Sequence, residues 1–128
     1  TDYVEFPGRV SDEYLADVLN TADVCVNPDL PSEMNDKSTM NKIMEYMAFG
    51  KPIVQFTLKE GKFSAQEASL YAENTSTEDF GDKILWLLEN PEKASEMGRF
   101  GRKRVETELS WEYEKPKLVG AYKKILGL

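Results

Sequence analysis

The sequence predicts an α/β fold: a Rossmann-like parallel sheet with helices on both faces, followed by a helical C-terminal third. Short β-rich runs alternate with amphipathic helical runs as far as Ala72, the order in which strands and crossover helices build a parallel sheet. The run Asp23-Val24-Cys25-Val26 is short and almost wholly apolar, as expected of a strand buried on both faces. Beyond Thr77 the segments open on helix-starting residues and carry helical periodicity to the end.

The elements follow in order. Tyr3 to Phe6 reads as a strand, ended by Pro7-Gly8. Ser11 can cap the next helix, with Asp12 and Glu13 in its positively polarised first turn and an apolar stripe of Tyr14, Leu15, Val18, Leu19 and Ala22. Residues 23–26 form the next strand, and Asn27 to Ser38, polar and rich in breakers, forms a loop at its carboxyl end. A helix runs from about Met40 to Phe49, and Gly50-Lys51-Pro52 stops it before the strand Ile53 to Phe56. Thr57 to Ala65 reads as a second polar loop, and Ser69 to Ala72 as a last short strand. Three helical runs complete the chain: Thr77 to Glu89, one opened by Asn90-Pro91, and one opened by Ser110-Trp111.

With 128 residues, the chain suits one domain with a buried core and is short for two. Hydrophobic residues make up 41% and charged residues 30%, an ordinary globular composition. No apolar run has the length of a membrane span, and no signal-peptide pattern opens the sequence. Thr1 stands almost directly ahead of a strand-like run, which leads us to expect a domain truncated on its N-terminal side. The chain has one cysteine, Cys25, and no histidine. A disulfide framework, a cysteine-based zinc site and any triad built on imidazole are therefore excluded within it, and Cys25 reads as a small core residue. A net charge of −7 and a pI near 4.7 argue against binding nucleic acid. A small anionic ligand is compatible with that charge where positive groups gather locally.

In a parallel sheet ligands bind at the carboxyl ends of the strands, here the loops after Phe6, Val26 and Phe56. The helix after Ser38 has Ile43, Met44, Met47 and Ala48 on one face at helical spacing. Glu45 points roughly 130° from the centre of that stripe, with Lys42 beside it. The N-terminus of this helix offers unpaired N–H groups and a positive dipole end suited to a phosphate; the alternative is that Lys42 and Glu45 form a solvated surface pair. Lys37, Lys42, Lys51, Lys59 and Lys62 crowd the middle of the chain. They supply either a local positive field for a diphosphate or simple solvation of the loops. A second basic run, Arg99, Arg102, Lys103 and Arg104, is interleaved with glutamates and reads as a solvated helix face.

Three stretches resemble the C-terminal domain of family 4 retaining glycosyltransferases, enzymes of the two-domain GT-B fold. Val4-Glu5-Phe6-Pro7-Gly8-Arg9-Val10, followed by Leu15, Leu19 and Ala22-Asp23-Val24, is similar to the family's V-x-F-x-G-x-V … L … L … A-D-V segment. Asn41-Lys42-Ile43-Met44-Glu45-Tyr46-Met47-Ala48-Phe49-Gly50-Lys51-Pro52-Ile53-Val54 resembles its N-K-L-x-E-Y-M-A-x-G-K-P-V-V block. The spacing from Glu78 through Met97-Gly98, Val105 and Trp111 to Tyr122 resembles its helical tail. The resemblance covers nearly the whole chain, and the middle block is its specific part.

The resemblance implies that residues 1–128 form the part that binds a nucleotide sugar, with the acceptor-binding domain and further upstream strands lying outside this sequence. By the same resemblance, Glu45 takes the place of the second glutamate of an E-x7-E pair and binds the ribose hydroxyls. Lys37 stands where the first glutamate of that pair falls, a departure from the family pattern. In the implied site, Lys37, Ser38, Lys42 and the main chain of Thr39, Met40 and Asn41 border the sugar and diphosphate, and Gly8-Arg9-Val10 borders the base. The implied reaction transfers a glycosyl unit from a uridine or guanosine diphosphate sugar to an acceptor, in polysaccharide or glycoconjugate synthesis, with retention at the anomeric carbon. It needs neither cofactor nor metal, and the chain is expected to be inactive alone. The implied location is cytoplasmic, with any membrane contact made outside this sequence. Two other classes are a non-catalytic α/β interaction module and a phosphoacceptor receiver domain. The receiver needs aspartates clustered at strand ends, whereas Asp23 precedes its strand.

Overall fold

The computed structural model describes residues 2–128. Three parallel strands form the sheet in the order β1-β2-β3: β1 Cys25–Asn27, β2 Ile53–Phe56 and β3 Ser69–Ala72. Cys25 stands opposite Ile53, and Ile53 opposite Ser69, so the strands are in step. Around them lie α1 Asp12–Thr21, α2 Glu33–Asp36, α3 Asn41–Ala48, α4 Lys59–Ala65, α5 Thr77–Glu89, α6 Pro91–Arg104 and α7 Trp111–Leu126. A 3₁₀ turn at Gln66–Ala68 joins α4 to β3, and a π-helical turn at Val105–Leu109 joins α6 to α7.

Caps written in the sequence start several helices. The Ser11 hydroxyl accepts from the Tyr14 N–H at 3.2 Å, and Ser76 caps α5 through the Asp79 N–H at 3.1 Å. Pro91 occupies the first turn of α6, where its missing N–H costs nothing.

Because the chain steps from β1 to β2 to β3 in one direction, both crossovers, with α3 and α4, lie on the same sheet face. Side chains alternate along β2. Ile53 faces a core of Ile43, Met47, Ala65 and Ala68, closed over by Phe100, Val105 and Leu109. Phe56 lies on the other face, its ring centroid 4.9 Å from that of Phe80 on α5. Helices thus cover both faces, as the sequence predicts.

Four expectations are corrected. Residues 3–6 form no strand: Tyr3 and Phe6 are exposed, and the segment pairs with none of the strands. A β-rich composition becomes a strand only where a sheet edge and a burying face receive it. Residues 59–65 are helical, with Gly61, Ser64 and Ala65 buried. Asn27 belongs to β1 and is fully buried, and the loop after it contains α2. Arg104 lies inside the protein, away from the solvated face of its basic run.

Candidate functional site

The carboxyl edge of the sheet is bordered by the segment from Pro28 to Met40, which leads from β1 into α3. This segment is braced by its own polar groups. Ser32 caps α2 by accepting from the Asn35 N–H at 3.0 Å, the Asn35 amide donates to the Leu30 carbonyl at 2.8 Å, and the Ser38 hydroxyl donates to the Met34 carbonyl at 2.6 Å. Beneath it, Asn27 accepts from the Asp29 N–H at 3.4 Å and sets its amide nitrogen 3.5 Å from the Met40 sulfur. The end of β1 is thereby tied to the residue that opens α3.

Met40, the N-cap of α3, makes no side-chain capping hydrogen bond. The Thr39 hydroxyl is turned elsewhere, donating to Glu60 at 2.9 Å. In the first turn the Ile43 N–H bonds the Met40 carbonyl at 3.1 Å, and among the described residues no side chain caps the N–H groups of Asn41 and Lys42. Such a helix end is a ready acceptor of negative charge, by its free donors and its dipole together. One turn on, about 6 Å along the axis, Glu45 is exposed while Ile43 and Met47 are 1% and 0% exposed. Met44, expected with the buried stripe, is half-buried because it sits at its margin.

The lysines of this region do not form an open positive field. Lys37 pairs with Glu33 at 2.7 Å, Lys42 with Asp29 at 2.7 Å and Lys59 with Asp36 at 3.6 Å. Lys51 donates to the Asn20 carbonyl at 2.9 Å, and Lys62 lies 5.7 Å from the centre of the Tyr71 ring. Lys42 and Glu45 therefore do not act as a surface pair: Lys42 reaches back to the β1 loop and leaves the Glu45 carboxylate free of that partner. Asp29, Asp36 and Glu60 are the site residues that sequence reasoning missed, because their partners lie 13, 23 and 21 residues away along the chain. Tyr46 donates to the Val26 carbonyl at 3.2 Å, and burial, then nearby Cys25, Glu45 and Asp29, raises its phenol above the usual range.

Gly8-Arg9-Val10 lies just ahead of α1. Arg9 is exposed, and Val10 shares a shallow apolar groove with Tyr14, Leu15 and Val18. Among the described residues no hydrogen bond joins this turn to Lys37–Glu45. A groove of about 450 Å³ lies at the opposite, amino edge of the sheet, lined in part by Asp23, Lys51 and Pro52. The chain just past the carboxyl end of α3, at Gly50 and Lys51, and the first turn of α6, at Pro91, Ala94 and Ser95, both border that groove. Among the described residues no three acidic, cysteine or histidine side chains gather as a metal site, and no helix is long and apolar enough to cross a membrane.

A solved structure, sucrose-phosphate synthase from Thermosynechococcus elongatus, superimposes with a TM-score of 0.86 at 26% identity, over 98% of this chain and 31% of that one. The chain thus spans about a third of that enzyme's length, and its parallel sheet and flanking helices match the GT-B glycosyltransferase fold. No curated protein sequence matches. The model of the family described as glycosyl transferases group 1 matches residues 1–90, including β1, β2, β3 and the whole edge that surrounds the α3 N-terminus. The chain belongs to the glycosyl transferases of group 1.

Proposed function

We propose that this chain is the donor-binding part of a retaining glycosyltransferase, which moves a sugar from a uridine or guanosine diphosphate carrier to an acceptor held by another part of the enzyme. The observation that carries the reading is the uncapped N-terminus of α3 at the carboxyl edge, one turn ahead of an exposed glutamate. Main-chain N–H groups of Thr39, Met40 and Asn41 hold the diphosphate and stabilise charge as it develops on the leaving group. Glu45 accepts two hydrogen bonds from the ribose hydroxyls. Ser38 and the Lys37–Glu33 pair border the sugar, so a carboxylate stands within reach although Lys37 holds the first position. In this reading Gly8-Arg9-Val10 borders the base.

Titration of the full-length protein with uridine and guanosine diphosphate sugars tests the reading. One of the two classes binds, and Glu45→Gln weakens it by about 1.5–3 kcal/mol, the worth of hydrogen bonds to a charged group. The loss persists at high salt, because the ribose partners are neutral. Unchanged affinity in a folded Glu45→Gln protein overturns the assignment of that residue, and absence of binding by any nucleotide sugar overturns the whole reading.

A further inference from the structure

Gln55 is the buried group that the proposed site leaves unexplained. It is fully buried near the carboxyl end of β2, and among the described residues neither its Oε1 nor its Nε2 has a hydrogen-bond partner. An amide buried in that way is disfavoured relative to an apolar side chain of the same shape, so packing alone gives no reason for it. It lies on the same face as Ile53, beneath α4, and α4 approaches it through a glycine. A Cβ built on Gly61 would lie 2.4 Å from Gln55 Oε1 and 3.3 Å from its Cδ. Any other residue at 61 forces the helix or the amide to move by about 1 Å to reach ordinary contact.

The two residues just ahead of Gly61 grip the approach to α3. The Lys59 N–H donates to Asp36 at 3.0 Å, and its ammonium lies 3.6 Å from the same carboxylate. Glu60 accepts from the Thr39 hydroxyl at 2.9 Å. Asp36 and Thr39 bracket the stretch that runs directly into Met40 and the first turn of α3. We propose that Gln55 and Gly61 are a positioning pair: their contact sets the height of α4 over the sheet, and α4 in turn fixes the 36–41 segment whose main chain meets the donor. The role toward the donor rests on the proposed function; the loop-fixing role does not.

The pair is tested in the full-length protein by amide hydrogen exchange over residues 36–41, together with titration of uridine and guanosine diphosphates. Gly61→Ala lifts α4, speeds exchange in that segment at least tenfold and weakens nucleotide binding by a similar factor. Gln55→Ala combined with Gly61→Ala removes the obstructing amide and returns both quantities to within about threefold of wild type, a rescue that general loss of stability would not give. Should Gly61→Ala fail to fold, Glu60→Ala cuts the link to Thr39 without touching the contact with the sheet, and the same faster exchange is expected. Unchanged exchange in folded Gly61→Ala, or a double variant no better than the single one, overturns the pair. If exchange responds and is rescued while the wild type binds no nucleotide, the pair stands as a loop-fixing device and the donor reading falls.

Discussion

Arg104 shows how much one side chain can settle. The residue is 6% exposed, and its guanidinium donates to the Ser64 carbonyl at 3.0 Å and the Phe63 carbonyl at 3.1 Å, while Nη1 pairs with Glu108. Both carbonyls belong to the last turn of α4, where helical bonding leaves acceptors over and a cation suits the dipole. Arg104→Met would leave those carbonyls short of donors and Glu108 without its cation, so we expect a loss of about 3 kcal/mol in unfolding free energy. Lysine can serve one carbonyl but not both, and should recover only part. Urea denaturation of the two variants decides this, and a change within about 0.5 kcal/mol for Arg104→Met would rank the residue with ordinary surface positions. In the sequence Arg104 is one cation in a basic helical run, because the carbonyls that bury it lie about forty residues earlier. The exposure of Glu45 was legible from helical spacing alone, whereas the pairing of Lys42 with Asp29 depends on how the loop folds back.

At the level of elements, α6 reaches the end of α3 through Gly98 and Gly101. A Cβ on Gly98 would lie 1.9 Å from the Gly50 carbonyl oxygen, and one on Gly101 would lie 2.9 Å from the Ala68 Cβ. Alanine favours a helix over glycine by about 1 kcal/mol, yet the backbone of Gly50 is no flexible tip that can step aside. Gly98→Ala should therefore destabilise by about 2 kcal/mol or more despite the better propensity. A stabilised variant would mean that the two helices are not held this close in solution. The same distinction between local and distant causes explains which elements are legible in the sequence. α5, α6 and α7 start where their capping and proline signals fall, and β2 and β3 lie where the short apolar runs predict. α4 is held by Leu58 beneath it, by Asp36 at its start and by Arg104 at its end, none of which is visible in a polar stretch containing a glycine. Residues 3–6 carry the converse case, a strand-like composition that no strand in this structure receives.

For the whole molecule, the sheet that holds the candidate site together also sets how the protein should respond to alkali. Cys25 lies in β1 and Tyr71 in β3, and burial raises the first to about 11 and the second to about 12. Lys51 lowers the Cys25 thiol, and the side chain of Ser69 lowers the Tyr71 phenol, but in each case burial is the larger effect. Both groups are neutral when protonated, and their ordinary values are 9.0 and 10.0. As pH rises through 9 the unfolded chain gives up the thiol proton while the folded chain keeps it, so the unfolded state binds fewer protons and stability falls with pH. The phenol extends that fall from 10 to about 12. The net charge of −7 at neutral pH grows more negative over the same range and adds repulsion in the same direction. The urea midpoint should accordingly drop steadily between pH 8.5 and 11. Cys25→Ala should start lower, from the small cavity it leaves, yet lose less between pH 9 and 11, because it no longer carries the proton that the two states hold differently. Parallel pH profiles for the two proteins would trace the alkaline loss to the Tyr71 phenol and general charge repulsion and not to the thiol buried in β1.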